Sequence, residues 1–131
     1  MSYDIELKDA ATGEVLRLDV PHEMRGGTHA AGGTQDCWLN ITYNYAPHYY
    51  RVFPEVVSAH PAARDGKLGG VRSIYGMTGA ESIPVLKAAI AQLGNDVHED
   101  YWEPTEGNAK AALFNLLALA QLRSDGVWDG D

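Results

Sequence analysis

The sequence predicts an α+β fold in which a small antiparallel sheet, a hairpin plus a third strand, is packed by two main helices and a shorter one. Two patterns predict it. Short segments near the start of the chain alternate apolar and polar residues, as half-buried strands do. Apolar residues at helical spacing follow later, over residues 82–93 and again after Thr105. A length of 131 residues suits one domain with one core, covering 1–131.

The predicted sheet begins with a β-hairpin. The segments Tyr3–Lys8 and Val15–Val20 both alternate, and Gly13 in the turn between them can take a positive φ. The third strand covers residues 37–44 (CWLNITYN), which are rich in the β-branched and aromatic residues that strands favour. Residues 127–128 add a short edge strand near the end of the chain.

The shorter helix is predicted from Ala46 to about Phe53, because Pro47 suits a first helical turn. The last helix is predicted to start at Thr105 or at Gly107, and its apolar stripe is wide. Its length and stripe make it one of the two main helices.

The other main helix has two competing starts. Thr78 and Glu81 fit a capping box, but a helix starting there leaves Pro84 inside. A cap at Ser82 places Pro84 in the first turn, where backbone N–H groups have no intrahelical partner. We therefore predict a main helix capped by Ser82 and running to Leu93, after a short turn begun at Thr78.

The formal net charge of −8 limits the class of partner. Residues 95–131 hold eight acidic and two basic side chains, so most of the excess lies there. This balance argues against a nucleic-acid binder that neutralises phosphates. It leaves open a small ligand, a basic protein partner or mimicry of the charge of a nucleic acid, and plain solubility is the structural alternative. With one cysteine and no apolar run of about 18 residues, we expect a cytoplasmic protein without a membrane partner.

The third strand has an unusual polar face. Its core face carries Cys37, Leu39, Ile41 and Tyr43, and its other face carries Trp38, Asn40, Thr42 and Asn44. Asparagine is depleted in strands because it hydrogen-bonds its own backbone in turns. Since local rules tend to be broken at functional sites, this face is predicted to recognise a ligand.

Residues 101–109 (YWEPTEGNA) form a predicted second wall at a helix N-terminus, where N–H groups are unpaired. Aromatic rings stack on a base, amides read base edges, and arginines bind phosphate. Aromatic packing plus a helix cap is the structural alternative. The predicted ligand-binding residues are Trp38, Asn40, Thr42, Asn44, Arg51, Arg72, Tyr101, Trp102, Thr105 and Asn108.

No catalytic or metal constellation is predicted. The histidines lack paired zinc spacing, although a site using His22, His29 or His98 with carboxylates stays open. The acidic loop over residues 95–104 could do acid–base work or simply be solvated. The Gly-rich loop over residues 21–36 matches no phosphate-binding motif and is either mobile, ligand-covering or a plain connection.

Three blocks resemble a group of small proteins encoded by tailed phages and bacterial genomes. They are residues 38–44 (WLNITYN), 79–84 (GAESIP) and 100–109 (DYWEPTEGNA). The likeness runs from about Cys37 to Trp128. The resemblance implies a small phage-type protein, located in the host cytoplasm. By analogy, accessory phage proteins of this size often counter host defences by sequestering a nucleotide signal or blocking an effector.

We therefore expect a non-enzymatic protein that binds a small nucleotide-like molecule, as a phage-encoded sponge for a nucleotide-derived signal. It is expected to need no cofactor, to bind no nucleic acid, and to form a homodimer or larger assembly that enlarges its pocket. Two alternatives stay open. One is an acidic inhibitor that binds a host defence protein, and the other is a small enzyme acting on a nucleotide.

Overall fold

The computed structural model describes residues 1–28 and 33–131 and confirms the α+β class. The helices are α1 (Ala46–Val52), α2 (Gly79–Ala91) and α3 (Glu106–Leu122), with 3-10 helices at Tyr43–Tyr45 and Gly70–Ile74. The strands are β1 (Ser2–Lys8), β2 (Arg17–His22), β3 (Thr34–Asp36), β4 (Trp38–Thr42), β5 (Val56–Val57), β6 (Lys67–Leu68) and β7 (Val127–Gly130).

The main sheet has the strand order β4-β1-β7, and both pairs are antiparallel. Ile5 lies opposite Leu39, and Leu7 lies opposite Trp128, so these side chains share one face. All four are buried in a single core with the apolar residues of α2 and α3, which pack against each other. The helices therefore cover one face of the sheet and leave the other polar.

The predicted hairpin forms only at its turn. Asp9 N–H donates to the carbonyl of Glu14 at 2.8 Å, and Lys8 bridges Val15. Beyond this point β2 leaves β1 and pairs with β3 in a separate two-stranded sheet. The reason is that both edges of β1 are already taken, by β4 over residues 2–6 and by β7 over residues 5–8.

Part of the Gly-rich loop covers the outer edge of β4. Gly26 accepts a hydrogen bond from Thr42 N–H at 2.8 Å, and Thr28 Oγ1 donates to the carbonyl of Asn40 at 3.1 Å. A Cβ on Gly26 would collide with that same carbonyl oxygen, so only glycine permits the approach. These contacts cover the edge of β4, so another strand cannot pair with it there. The rest of the Gly-rich stretch, residues 29–32, lies outside the described residues.

Helix α2 begins at the capping box, so the prediction of Ser82 as its cap was wrong. Thr78 Oγ1 accepts from Glu81 N–H at 3.0 Å, and Glu81 accepts from Thr78 N–H at 2.9 Å. Two helix-end donors are thereby satisfied, and Pro84 is accommodated inside the helix. Ser82 lies inside the helix with its side chain buried.

The remaining helical predictions hold with small shifts. Thr105 is the N-cap of α3, so the helix itself starts at Glu106, and α1 ends one residue earlier than predicted, at Val52.

Candidate functional site

The polar face of β4 is held by the neighbouring strand β1. Asn40 donates its side-chain amide to Asp4 Oδ1 at 2.8 Å and to Ser2 Oγ at 2.8 Å. Trp38 donates its indole N–H to the same Asp4 oxygen at 3.2 Å. Asp4 and Asn40 are direct cross-strand partners, so an amide beside this carboxylate stabilises the pair. Cross-strand pairing thus accounts for an asparagine that strand propensity disfavours.

Thr42 is the last residue of β4 and lies opposite Ser2, so the strand ends two residues earlier than predicted, and Asn44 lies beyond it in the 3-10 helix. Thr42 is buried and caps the 3-10 helix Tyr43–Tyr45, accepting from Asn44 N–H at 3.2 Å. The amide of Asn44 donates to the carbonyl of Trp102 at 3.0 Å. Asn44 therefore contacts the predicted second wall. Trp38 and Asn40, by contrast, are hydrogen-bonded to Asp4 on the neighbouring strand.

The aromatic part of the second wall is closely packed. Tyr101 and Trp102 contact edge to face with ring centroids 5.3 Å apart, and the guanidinium carbon of Arg25 lies 5.3 Å from the centre of the Tyr101 ring. Tyr45 donates its hydroxyl to the carbonyl of Tyr101. Trp102 alone of these aromatic rings stays substantially exposed, at 46%. The two predicted walls thus meet through direct contacts.

Thr105 and Asn108 organise the loop that precedes α3. Thr105 Oγ1 accepts from Asn108 N–H at 3.1 Å. The buried Asn108 amide donates to the carbonyls of Asp100 at 3.1 Å and Glu103 at 3.0 Å, and its oxygen accepts from His98 N–H at 3.2 Å. These contacts engage both ends of the side chain, so its role in this structure is to fold the acidic loop.

The two predicted arginines lie apart. Arg51 forms a surface ion pair with Glu106 at 2.9 Å. Arg72 donates from Nε to Asp131 Oδ1 at 2.8 Å and lies 4.8 Å from the centre of the Tyr3 ring. Burial works to lower the pKa of Arg72, but the hydrogen bond and charge of Asp131 raise it, so the guanidinium stays cationic.

A cleft of about 340 Å³ opens between α1, the β5–β6 hairpin and the second 3-10 helix, and we name it the cationic cleft. Its polar lining consists of Tyr50, Glu55, Arg64, Asp65, Lys67 and Arg72. Three cationic side chains thus face two acidic ones, in a chain whose net charge is −8. The volume is that of a small-ligand site. Of the ten predicted site residues, Arg72 is the one that lines this cleft.

Arg64 and Lys67 flank a two-residue turn that places them side by side. Asp65 and Gly66 have φ values of 53° and 73°, the positive angles that a type I′ turn requires. Arg64 and Lys67 exchange backbone hydrogen bonds of 2.9 and 3.0 Å. Because residues directly opposite each other in an antiparallel pair project to the same face, both cations project from one side of the turn.

Sequence reasoning missed Tyr50, Arg64 and Lys67, because none of them lies in the two stretches, residues 37–44 and 101–109, that were predicted to form the walls of the site. The dipeptide Asp65-Gly66 was the available signal, since Asp-Gly is typical of two-residue hairpin turns and would have paired Arg64 with Lys67. No local pattern indicated Tyr50, because its position depends on residues about twenty places further along the chain.

A second cleft, of about 530 Å³, is lined in part by Lys8, His60 and Asp129. The Asp129 carboxylate accepts from Lys8 Nζ at 2.7 Å and lies 2.6 Å from His60 Nε2. His60 Nδ1 accepts from Ala62 N–H at 3.0 Å, so the ring proton sits on Nε2 and is donated to Asp129. Both ring nitrogens are therefore engaged, and neither is free to act as a general base.

Within residues 1–28 and 33–131, no group of three or more His, Cys, Asp or Glu side chains is arranged to hold a metal ion. His98 Nδ1 accepts from Asp100 N–H at 2.9 Å, and His29 lies outside the described part of the chain. Cys37 is fully buried, and burial raises the pKa of its thiol, which disfavours the reactive thiolate.

No protein-family model matches the chain, and neither a curated protein nor a solved structure is similar to it. None of the helices in the described ranges is both long enough and apolar enough to cross a membrane. The functional assignment therefore rests on the chemistry and geometry of the residues themselves.

Proposed function

We propose that this protein binds a small phosphate-bearing molecule of the nucleotide class in the cationic cleft and holds it without chemical change. One observation carries the proposal: Arg64, Lys67 and Arg72 line a single cleft of small-ligand size in a strongly acidic chain. Guanidinium and ammonium groups are the side chains that bind phosphate oxygens, and charge-assisted hydrogen bonds are the strong ones.

The arrangement of Arg64 and Lys67 is unfavourable without an anion. Like charges directly opposite each other in a strand pair destabilise it. Arg64 takes part in none of the ion pairs formed among the described residues. Lys67 lies 3.5 Å from Glu55, and both side chains are more than half exposed. A bound phosphate would relieve this repulsion, which supports a binding role for the pair.

Arg72 supplies a fixed charge beside this exposed pair. Its side chain is only 14% exposed and is held by Asp131 from one side and by the ring of Tyr3 from another. A side chain that is already ordered loses little conformational entropy when a ligand binds. Arg72 therefore contributes preorganised attraction, and the two exposed cations adapt around the phosphate.

Binding without turnover stays a prediction. Within the part of the chain that the structure describes, the lining holds no histidine, cysteine or serine, so an enzyme acting at this cleft would have to use other groups, such as the carboxylates of Glu55 and Asp65. In the phage setting that the sequence resemblance implies, such a protein would sequester a nucleotide-derived signal in the host cytoplasm and so counter a host defence.

The direct test is isothermal titration of the purified protein against a panel of cyclic and ADP-ribose-type nucleotides. We expect a Kd below about 10 μM for at least one of them, and recovery of the nucleotide unchanged. If no member binds more tightly than this, the proposal fails. Turnover of a bound nucleotide would instead support the enzyme alternative. Native mass spectrometry of protein from infected cells would report a retained ligand and the subunit count together.

A second candidate function, binding of a basic host protein, is favoured by the surface of the acidic loop over residues 95–104. Val97 and Trp102 are 71% and 46% exposed there, between the carboxylates of Asp96, Glu99 and Glu103. Exposed apolar groups among acids fit a basic protein surface.

The two functions predict opposite results in infected cells. If the acidic loop binds a protein, charge reversal at Asp96 and Glu99 abolishes biological activity, while Arg64→Glu has no effect. If the cationic cleft holds a nucleotide, Arg64→Glu abolishes activity and the loop reversals are tolerated.

A further inference from the structure

We infer that the ligand of the cationic cleft carries a planar base that stacks on the ring of Tyr50, so that the site takes a nucleotide rather than a bare phosphate or a sugar phosphate. This inference rests on the proposed function, because Tyr50 lines the same cleft as Arg64 and Lys67. It adds the aromatic part of the ligand and the residue that recognises it.

Tyr50 differs from the other tyrosines in having no aromatic partner among the residues that the structure describes. Of the seven tyrosines, six contact another aromatic ring within the described residues. Tyr50 takes part in none of these contacts, and it is 57% exposed. A large aromatic ring exposed at the wall of a cleft offers a stacking surface to a ligand.

Two glycines hold this ring in place. A Cβ atom on Gly69 would lie 3.2 Å from Tyr50 Cε1, and one on Gly70 would lie 3.3 Å from Cδ1. Both distances are short, so the ring lies directly against the backbone of these glycines, and a side chain at either position would require the ring to shift by a few tenths of an ångström. Gly70 also has a φ of 61°, which favours glycine. One side of the ring is thus supported by backbone, and the ring remains largely exposed.

A supported, exposed ring beside three cations matches the two halves of a nucleotide. The ring offers a stacking surface for the base, and Arg64, Lys67 and Arg72 offer charge for the phosphate. Stacking on an aromatic side chain tolerates any base, because every base has a π face. The arrangement therefore specifies the class of ligand, a nucleotide, and leaves the base open.

The test compares adenosine 5′-monophosphate with ribose 5-phosphate, which lacks the base, by NMR titration. We expect wild-type protein to bind the nucleotide about 10-fold more tightly, the range that stacking of one base provides. Tyr50→Leu should remove this difference and leave the ribose 5-phosphate affinity unchanged. Tyr50→Phe, which keeps the ring, should retain most of the difference.

The possible failures are distinguishable. If wild-type protein binds both probes equally, the stacking inference is overturned while the phosphate site stands. The same holds if Tyr50→Leu weakens both probes alike while its NMR spectrum remains that of a folded protein, or if Tyr50→Phe behaves like Tyr50→Leu. If adenosine 5′-monophosphate does not bind, the inference is overturned, and the proposed function fails as well if no nucleotide of the panel binds. The NMR spectrum of each variant reports whether it is folded.

Discussion

Trp128 donates its indole N–H to Ser82 Oγ at 2.7 Å, and both side chains are buried. Ser82 in turn donates to the carbonyl of Gly79 at 2.8 Å, so its hydroxyl links β7 to the first turn of α2. Thr78 and Glu81 cap that turn, which leaves the serine free for this contact. The position that the sequence suggested for a helix cap is thus a buried polar link between sheet and helix.

We predict that Ser82→Ala destabilises the protein by about 1–3 kcal/mol, because the buried indole N–H of Trp128 loses its acceptor. Urea denaturation measures the change. Ser73→Ala is the matched control, since Ser73 is equally buried and its hydroxyl has no hydrogen-bond partner in the described structure. The control should be neutral or stabilising. Equal losses in the two variants would contradict this account of Ser82.

Asn108→Ala is expected to loosen the acidic loop. The substitution removes the side chain that three loop backbone groups bind, those of His98, Asp100 and Glu103. Because Asn108 is only 5% exposed, we expect a loss of about 2 kcal/mol in the free energy of unfolding. Amide hydrogen exchange should accelerate over residues 98–103.

The control for this prediction is Asn95→Ala, in the same loop. Asn95 is exposed and accepts one hydrogen bond, from Lys110 Nζ at 2.7 Å, so its loss should change stability by less than about 0.5 kcal/mol. If exchange over residues 98–103 in Asn108→Ala is no faster than in Asn95→Ala, the organising role of Asn108 is refuted.

Asp129 should contribute stability that disappears in acid. Burial acts to raise the pKa of Asp129, but hydrogen bonds from Lys8, His60 and Gly130 N–H outweigh it and lower the pKa to about 2. Since the folded pKa lies below its usual value of 3.8, the contribution is complete above about pH 4 and is lost as the pH falls toward 2. With the carboxylate 36% exposed, solvent screening limits it to about 1 kcal/mol.

The variant Asp129→Asn tests whether Asp129 contributes stability that is lost in acid. Its stability deficit relative to wild type should shrink between pH 4 and pH 2 and stay constant between pH 5 and pH 7, as measured by urea denaturation. The exposed carboxylate variant Glu99→Gln should show no comparable change. A deficit of Asp129→Asn that is the same at every pH would exclude the proposed linkage.

The fold class was predictable because it depends on local periodicity. Alternation identified β1 and the strand now seen as β4, and apolar spacing identified α2 and α3. Alternation does not say which strand pairs with which, so the sequence could not show that β7 occupies the second edge of β1. The start of α2 was missed for a related reason: the partner that engages Ser82 lies 46 residues away.

The site was harder to predict, because polar residues acquire their roles from distant partners. Asn40 looked unexplained in its own strand, yet its partner Asp4 lies 36 residues earlier. Of the predicted cations, Arg72 lines the cationic cleft, whereas Arg51 is paired with Glu106. Tyr50 was not predicted, since only the folded chain brings it beside Arg64, Lys67 and Arg72.

The central claim, that the cationic cleft binds the phosphate of a nucleotide, is tested most directly by one pair of charge reversals. Arg64→Glu and Lys87→Glu change the net charge equally, but Lys87 is an exposed residue of α2 that does not line the cleft. Isothermal titration with the tightest nucleotide of the panel gives the affinity of each. We predict that Arg64→Glu raises the Kd at least about 10-fold, and that Lys87→Glu changes it less than about 2-fold. Equal affinities for the two variants would contradict the assignment of the cleft.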